Sequence, residues 1–214
     1  MITVDIWSDV RCPFCYIGKR HLEQALEKFE NKDEVKVEWH SYQLDPNLET
    51  RPEISTIDYF VTAKNVSEEQ AREMIAGAQK MGNDSGLEWD LENTVLANSF
   101  RAHQVIQLAK EKGLGNEIEE AFFKAYFSEG KNIDDEETMV ETAESIGLAS
   151  EEVREALKNE SYSYAVKQDE MQARNIGVRG VPFFVFNNKY AVSGAQPSTA
   201  FLEVLQKVKQ EQTT

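Results

Sequence analysis

Residues 2–29 read ITVDIWSDVRCPFCYIGKRHLEQALEKF, and the order of the signals in this stretch decides the fold. The β-branched residues that alternate between residues 2 and 7 predict a short strand. Pro13 suits the first position of a helix, where its missing N–H is no loss. Apolar side chains then recur at the helical spacing, at Leu22, Ala25, Leu26 and Phe29. A second strand from about Val35 to Tyr42 completes a strand–helix–strand unit, and we expect its two strands to be parallel.

The strand signals return near the C-terminus, after a long helical stretch. Phe183–Phe186 is a short apolar run that suits a strand buried on both faces. Asn187 and Asn188 form a two-residue hairpin candidate, and Pro197 opens a last helix. Nearly every segment between about residues 55 and 173 has helical periodicity. We therefore predict an α/β architecture of the form βαβ–ββα, with a mixed sheet and helices on both faces. Residues 1–50 and 174–214 form this domain, and residues 51–173 form an inserted, all-helical domain.

The composition excludes some classes of partner. The 214 residues carry 38 acidic and 23 basic side chains and a net charge of −15, which would repel nucleic acid and anionic lipid surfaces. No apolar run approaches the roughly 18 residues of a membrane helix. The N-terminus lacks the basic and apolar regions of a signal peptide, so we expect a cytoplasmic protein. The composition is compatible with a homodimer and does not demand one.

The chain has only two cysteines, Cys12 and Cys15, and both lie at the predicted start of the first helix. A structural disulfide framework would use more cysteines, spread through the chain. At a helix N-terminus the dipole favours a thiolate, so Cys12 is the candidate nucleophile and Cys15, one turn later, the resolving thiol. A zinc site would need two further ligands at matching spacing, and the histidines His21, His40 and His103 are scattered singly. We therefore expect no metal.

Four segments resemble DsbA-like proteins, and in particular their FrnE branch, which is also similar to 2-hydroxychromene-2-carboxylate isomerases and kappa-class glutathione transferases. The segments are residues 5–9 (DIWSD), 12–18 (CPFCYIG), 98–103 (NSFRAH) and 177–182 (GVRGVP). The resemblance implies a thioredoxin fold and a thiol–disulfide oxidoreductase that acts on protein or small-molecule disulfides. It implies a redox-active disulfide instead of a bound cofactor, a recycling thiol partner, and glutathione as a candidate co-substrate.

The resemblance also assigns residues to the site. It implies that the Val181–Pro182 bond is cis, and that these two residues bind substrate together with Pro13 and Phe14. DsbA-like proteins with strong oxidising power usually carry histidine between the two cysteines. Phe14 has no positive charge to hold the thiolate, so we expect a weaker oxidant than DsbA.

Two other functions remain open at this point. The relatives that use glutathione suggest an isomerase or transferase that acts on an aromatic or polyketide-like molecule, although such enzymes commonly replace the first cysteine. A non-enzymatic binding module is the third hypothesis, and the intact Cys12–Cys15 pair disfavours it. The sequence does not assign roles to Arg11, Asn98, His103 and Arg179.

Overall fold

The structure, a computed structural model, describes residues 1–212, so the last two residues of the predicted terminal domain lie outside the described part. Within it, the strands are β1 (Ile2–Ser8), β2 (Val35–Ser41), β3 (Phe183–Phe186) and β4 (Tyr190–Ser193). The helices are α1 (Pro13–Lys28), α2 (Thr56–Lys64), α3 (Glu68–Asp84), α4 (Phe100–Glu111), α5 (Gly115–Phe123), α6 (Glu136–Glu144), α7 (Ser150–Ala156), α8 (Glu160–Asn175) and α9 (Ser198–Gln212). None of these helices is long and apolar enough to cross a lipid bilayer.

The four strands form one mixed sheet in the order β2-β1-β3-β4. β1 and β2 are parallel and pair from Ile2 with Val35 to Ser8 with Ser41. β3 is antiparallel to both β1 and β4. The predicted βαβ–ββα arrangement is therefore confirmed, and the carboxyl end of β1 leads directly into the loop before Cys12.

The hairpin between β3 and β4 turns at the two asparagines that the sequence indicated. Asn187 and Asn188 have φ values of 48° and 52°, the left-handed conformation that a two-residue hairpin turn requires. The Asn187 side chain also accepts a hydrogen bond of 2.7 Å from the Thr3 amide, which ties the turn to β1.

The chain forms two compact units, residues 1–44 with 167–214 and residues 45–166. In the first unit, one face of the sheet packs against α1 and α9 through apolar residues that include Ile6, Leu22, Phe184, Phe201 and Leu205. The other face holds Trp7 with Ala173 of α8 and with Val178. Helices thus cover both faces, as predicted. The domain limits that we expected, after residues 50 and 173, stay a prediction.

One prediction about β3 is wrong. Phe184 and Phe186 are fully buried, but Phe183 and Val185 on the opposite face are only partly buried. The smaller cluster around Trp7 covers that second face incompletely, so the strand is not buried on both sides.

The C-terminal part of α8 is held to the sheet by a charged network. Nε2 of His40 lies 2.9 Å from Oδ1 of Asp5, and Nδ1 lies 3.0 Å from Oδ1 of Asp169. The imidazolium form alone can donate to both carboxylates at once. The Trp7 ring stacks on the imidazole at 4.5 Å, and its indole N–H donates to the Asp169 carbonyl. This network fixes the helix that leads to the Val181–Pro182 segment.

The second unit is mainly helical and contains a buried aromatic cluster around Phe122 and Tyr126. Ser67 and Gln70 form a capping box at the start of α3. The segment 85–99, which we expected to be helical, contains no helix. The Gln79 side chain binds its backbone instead, because it donates to the Trp89 carbonyl and accepts from the Leu91 amide.

Candidate dithiol site

Cys12 caps the N-terminus of α1. Its backbone is extended (φ −91°, ψ 110°), and Pro13 occupies the first helical turn as predicted. The Cys12 amide donates to the Asp9 carbonyl at 2.8 Å, and the Cys15 amide donates to the Cys12 carbonyl at 3.0 Å. The loop after β1 and the first turn of α1 therefore fix the backbone of both cysteines, and no acidic residue occupies that first turn.

The two cysteines are free thiols that lie 3.3 Å apart. Both side chains are buried, with 3% of Cys12 and 1% of Cys15 exposed. Burial raises the pKa of the Cys15 thiol well above its ordinary value, and the neighbouring Cys12 raises it further. The resolving thiol that the sequence indicated is thus protonated in the resting dithiol.

The Val181–Pro182 peptide bond is cis, as the resemblance implied. The Cys12 sulfur lies 3.5 Å from the Val181 carbonyl oxygen, to which its thiol can donate. The Pro182 carbonyl accepts a hydrogen bond of 2.8 Å from the amide of Gly194, which joins this segment to the end of β4. The structure therefore brings Cys12, Cys15, Val181 and Pro182 together.

Gly18 allows the Pro182 segment to approach α1. A methyl group at Gly18 would lie 3.0 Å from Cγ of Pro182 and 3.1 Å from Cζ of Phe184. Both distances are tighter than ordinary van der Waals contact, so a larger residue would push the proline or the phenylalanine away. Gly18 therefore sets how closely the proline approaches the helix that carries the two cysteines.

Asp9 organises the loop before Cys12. Its fully buried carboxylate accepts hydrogen bonds from the Arg11 amide at 3.1 Å and from the Leu44 amide at 2.8 Å. The first is a local turn of the kind that aspartate favours. The second links the loop to the chain that follows β2, so one side chain holds two loops at the same end of the sheet.

The remaining predicted residues fall in different places. Phe14 is 42% exposed between the two buried cysteines, and Arg179 is exposed. Asn98 belongs to the helical unit, where its side chain donates to the Leu48 carbonyl and accepts from the Phe100 amide, a capping role at α4. His103 is fully buried in α4 of the same unit. Within residues 1–212, no group of three or more His, Cys, Asp or Glu side chains could hold a metal ion.

Sequence reasoning did not single out Ser8, Asp9 or Gly18 as site residues. For Gly18 a signal was available, because a glycine inside a helical pattern costs about 1 kcal/mol against alanine and so suggests a packing reason. An aspartate two residues before Arg11 is a turn signal for Asp9. Nothing local marks Ser8, whose importance depends on what packs against it.

The fold and the site together define a thioredoxin-fold protein with a thiol pair at the start of its first helix and a cis-proline beside it. Residues 3–206 match the family model described as DSBA-like thioredoxin domain. The chain therefore belongs to the DsbA-like thioredoxin family. The resemblance that the four sequence segments suggested is confirmed at the level of this family.

Individual relatives agree with this assignment. The chain is 34% identical to a crystal structure named a probable DsbA oxidoreductase from Streptomyces coelicolor, with a TM-score of 0.93 over 99% of this chain and 91% of that one. It is 27% identical to the uncharacterised protein YwbO of Bacillus subtilis, over 94% of each chain. The cytosolic disulfide reductase DsbM of Pseudomonas aeruginosa shares the fold, with 18% identity and a TM-score of 0.67 over 96% of this chain and 99% of that one. A structure of DsbM with GSH matches equally well, at a TM-score of 0.67.

Proposed function

We propose that the chain is a dithiol–disulfide oxidoreductase that acts on protein or small-molecule disulfides. Cys12 is the nucleophile and Cys15 the resolving thiol. The observation that carries the proposal is the pair of free thiols 3.3 Å apart at the first turn of α1. Membership of the DsbA-like family supports the class of reaction.

In the first step, the Cys12 thiolate attacks one sulfur of a substrate disulfide. A new S–S bond joins Cys12 to that sulfur, the substrate S–S bond breaks, and the second substrate sulfur leaves as a thiolate that takes up a proton. The start of α1 favours the attacking thiolate, because helix N-termini stabilise negative charge.

In the second step, Cys15 loses its proton and attacks the Cys12 sulfur. The bond between Cys12 and the substrate breaks, the Cys12–Cys15 disulfide forms, and the departing sulfur takes the proton. The substrate gains two electrons and the protein loses two. The same steps run in reverse when the oxidised protein meets a dithiol.

We assign substrate binding to Val181, Pro182, Pro13 and Phe14. The Val181 carbonyl lies 3.5 Å from the Cys12 sulfur, so an extended substrate whose backbone amide binds there would present its disulfide to Cys12. Phe14 is 42% exposed and offers an apolar surface between the cysteines. Pro182 follows Val181 in the cis peptide bond, and Pro13 follows Cys12 in the chain.

The test is the reduction potential of the Cys12–Cys15 pair, measured by equilibration with glutathione redox buffers and quantification of both forms. We expect a two-electron transition, which Cys12→Ser and Cys15→Ser each abolish. Because Phe14 brings no positive charge, the potential should lie nearer the glutaredoxin range, about −200 to −230 mV, than the about −120 mV of DsbA. Failure of the wild-type protein to form an intramolecular Cys12–Cys15 disulfide would contradict the proposal.

The proposal needs no bound cofactor, because the dithiol carries the two electrons, and it needs a recycling thiol partner. We place its work in the cytoplasm, and the name of the DsbM relative as a cytosolic reductase supports this. Cell fractionation tests the cytoplasmic location of the protein. The redox state of the Cys12–Cys15 pair in freshly lysed cells tests whether the protein acts as an oxidant or as a reductant.

A second candidate is a glutathione-dependent isomerase or transferase, because a 2-hydroxychromene-2-carboxylate isomerase shares the fold, with 14% identity and a TM-score of 0.70 over 99% of this chain and 98% of that one. Glutathione would then bind saturably, and activity would survive Cys15→Ser but not the loss of Cys12. Calorimetry without detectable glutathione binding at millimolar concentration would remove this candidate. Binding without intramolecular disulfide formation would make it the better account.

A further inference from the structure

The resolving step presents a chemical problem, and its solution rests on the proposed function. Cys15 can attack only as a thiolate, yet only 1% of its side chain is exposed. Burial and the neighbouring Cys12 both hold its pKa well above the ordinary value. Water cannot solvate the charge at such a site, so protein donors must do so.

Ser8 is placed to be such a donor. It is the last residue of β1 and shares a sheet face with Val4 and Ile6, whose side chains pack in the cluster that includes α1. The side chain is fully buried, and its hydroxyl makes no close hydrogen bond with any of residues 1–212. This face packs against α1, the helix that carries Cys15 in its first turn.

The electrostatics of Cys15 agree with this placement. Against the effect of burial, the Asp9 backbone and the Ser8 hydroxyl both lower the pKa of the Cys15 thiol. The last residue of β1 and the first residue of the loop after it therefore offer two donors to one sulfur. The backbone donor cannot be removed by mutation, but the hydroxyl can.

We propose that the Ser8 hydroxyl is the side-chain donor that stabilises the Cys15 thiolate during resolution of the mixed disulfide. As Cys15 gives up its proton, the Ser8 O–H turns to the sulfur and shares its negative charge. The Cys15 sulfur then bonds to the Cys12 sulfur, and the substrate thiolate that leaves takes up the proton. In the resting dithiol the hydroxyl has no close partner, and this lowers the stability of the folded protein. The hydrogen bond to the charged sulfur removes that cost.

If the Ser8 hydroxyl acts in this way, its removal should slow the resolving step without lowering the stability of the folded protein. A buried hydroxyl without a partner is unfavourable, so replacement by alanine should leave the reduced protein at least as stable at neutral pH. A serine that served only to hold the strand would show the opposite pattern. Loss of its hydrogen bonds would then destabilise the protein, and the rate of the resolving step would not be the only rate to change.

The experiment is a single-turnover reaction of the reduced full chain with one equivalent of dipyridyl disulfide. Attack by Cys12 releases one pyridinethione, and resolution by Cys15 releases the second, so absorbance records the two steps separately. In Ser8→Ala, we expect the first release to keep its rate and the second to slow by about tenfold to a hundredfold, the usual effect of one hydrogen bond to a charged group. The pH midpoint of the second release should also move upward.

Two further variants complete the design. Ser8→Thr keeps the hydroxyl and should restore most of the second rate. Ser41→Ala makes the same change at the buried position that pairs with Ser8 on β2, and should leave both releases unchanged. The inference is overturned if Ser8→Ala keeps the wild-type second rate and pH profile, or if both of its releases slow alike. A wild type that releases only one equivalent contradicts the proposed function itself, which is a different outcome.

Discussion

At the scale of single residues, the two cysteines occupy different environments although only two residues separate them. Cys12 is the N-cap residue of α1 and faces the Val181 carbonyl, whereas Cys15 lies within the first turn of the helix. The Cys12 sulfur lies beside the Val181 carbonyl, where we propose that the substrate binds, so Cys12 attacks the substrate first and Cys15 attacks second.

The buried Cys15 should make the stability of the reduced protein depend on alkaline pH. Its folded pKa is raised, so between the unfolded value, about 8.5, and the higher folded value the folded state binds one more proton than the unfolded state. The free energy of unfolding should therefore fall as pH rises through this window, by up to about 1.4 kcal/mol per pH unit from this one group.

Chemical denaturation of the reduced protein from neutral pH to pH values above the unfolded thiol pKa, about 8.5, measures the effect. Cys15→Ser is the control, because it lacks the titrating thiol and should lose this part of the slope. Equal slopes in the two proteins would show that Cys15 titrates in the folded state as it does in the unfolded chain.

Gly18→Ala should affect exchange more than stability. Alanine favours the helix by about 1 kcal/mol, but its methyl group would contact Pro182 and Phe184 at 3.0 and 3.1 Å and displace them. Since a displacement of this kind moves Val181 relative to Cys12, we expect disulfide exchange to slow by up to about tenfold.

Gly77→Ala in α3 is the matched control for Gly18→Ala. Apart from the neighbouring backbone of its own helix, no atom lies within 4 Å of the added methyl group, so this variant should gain about 1 kcal/mol and leave the exchange rate unchanged. Stopped-flow exchange and denaturant unfolding of both variants test the pair. Wild-type exchange in Gly18→Ala would mean that the proline segment tolerates the displacement.

The site residues that sequence reasoning found are those with a chemical signature. Two cysteines at a strand-to-helix junction predict thiol chemistry by themselves, and the family resemblance assigned Pro182 to the site. Gly18 acts through its lack of a side chain, because Pro182 and Phe184, which are distant in the sequence, pack against it. Ser8 acts through its hydroxyl, and its role depends on the packing of α1 on β1. Such roles exist only after the sheet and the helix have been assembled.

At the scale of elements, α8 matters because it ends just before the Val181–Pro182 segment. Asp169 on this helix shares the His40 ring with Asp5 of β1, and its second oxygen accepts from the Ser41 amide at 2.9 Å. The three side chains are only 13–19% exposed. A change at His40 therefore leaves two carboxylates close together without the ring that bridges them.

His40→Ala should destabilise the reduced protein by about 2 kcal/mol, less than for a fully buried pair because some solvent reaches these groups. Lys36→Ala is the control, since Lys36 pairs with Glu38 on the same strand but at the surface, where the change should have little effect. Urea unfolding of both variants decides the matter. Equal stability of His40→Ala and wild type would show that α8 is held by its apolar contacts alone.

Elements whose signals are local were predictable from the sequence. The asparagine pair determines the β3–β4 hairpin because the two-residue turn needs the left-handed conformation at both of these residues. Segment 85–99 was not predictable, because its backbone is bound by partners such as the Gln79 side chain and the Phe127 carbonyl, about ten and forty residues away. Periodicity within a window cannot register such partners.

At the scale of the whole molecule, the charge distribution sets which disulfides approach the site most readily. The net charge of −15 creates a negative field around the protein, whereas Arg11 and Arg179 lie next to the two loops that carry the site. Exposed charges act over about one Debye length, roughly 10 Å at 0.1 M salt. The long-range field is therefore repulsive to anions at low salt, and the two arginines act only at short range.

The rate of exchange should consequently depend on ionic strength with a sign set by the substrate. For an anionic disulfide such as oxidised glutathione, added salt screens the repulsion and should raise the second-order rate constant, whereas for the cationic disulfide cystamine it should lower the rate. Neutral dipyridyl disulfide is the control and should show little change. If added salt instead slows the reaction of the anionic substrate, the field at the site is positive, and Arg11 and Arg179 outweigh the acidic surface. Arg179→Ala should then reverse the sign of the salt dependence and so identify Arg179 as the residue responsible.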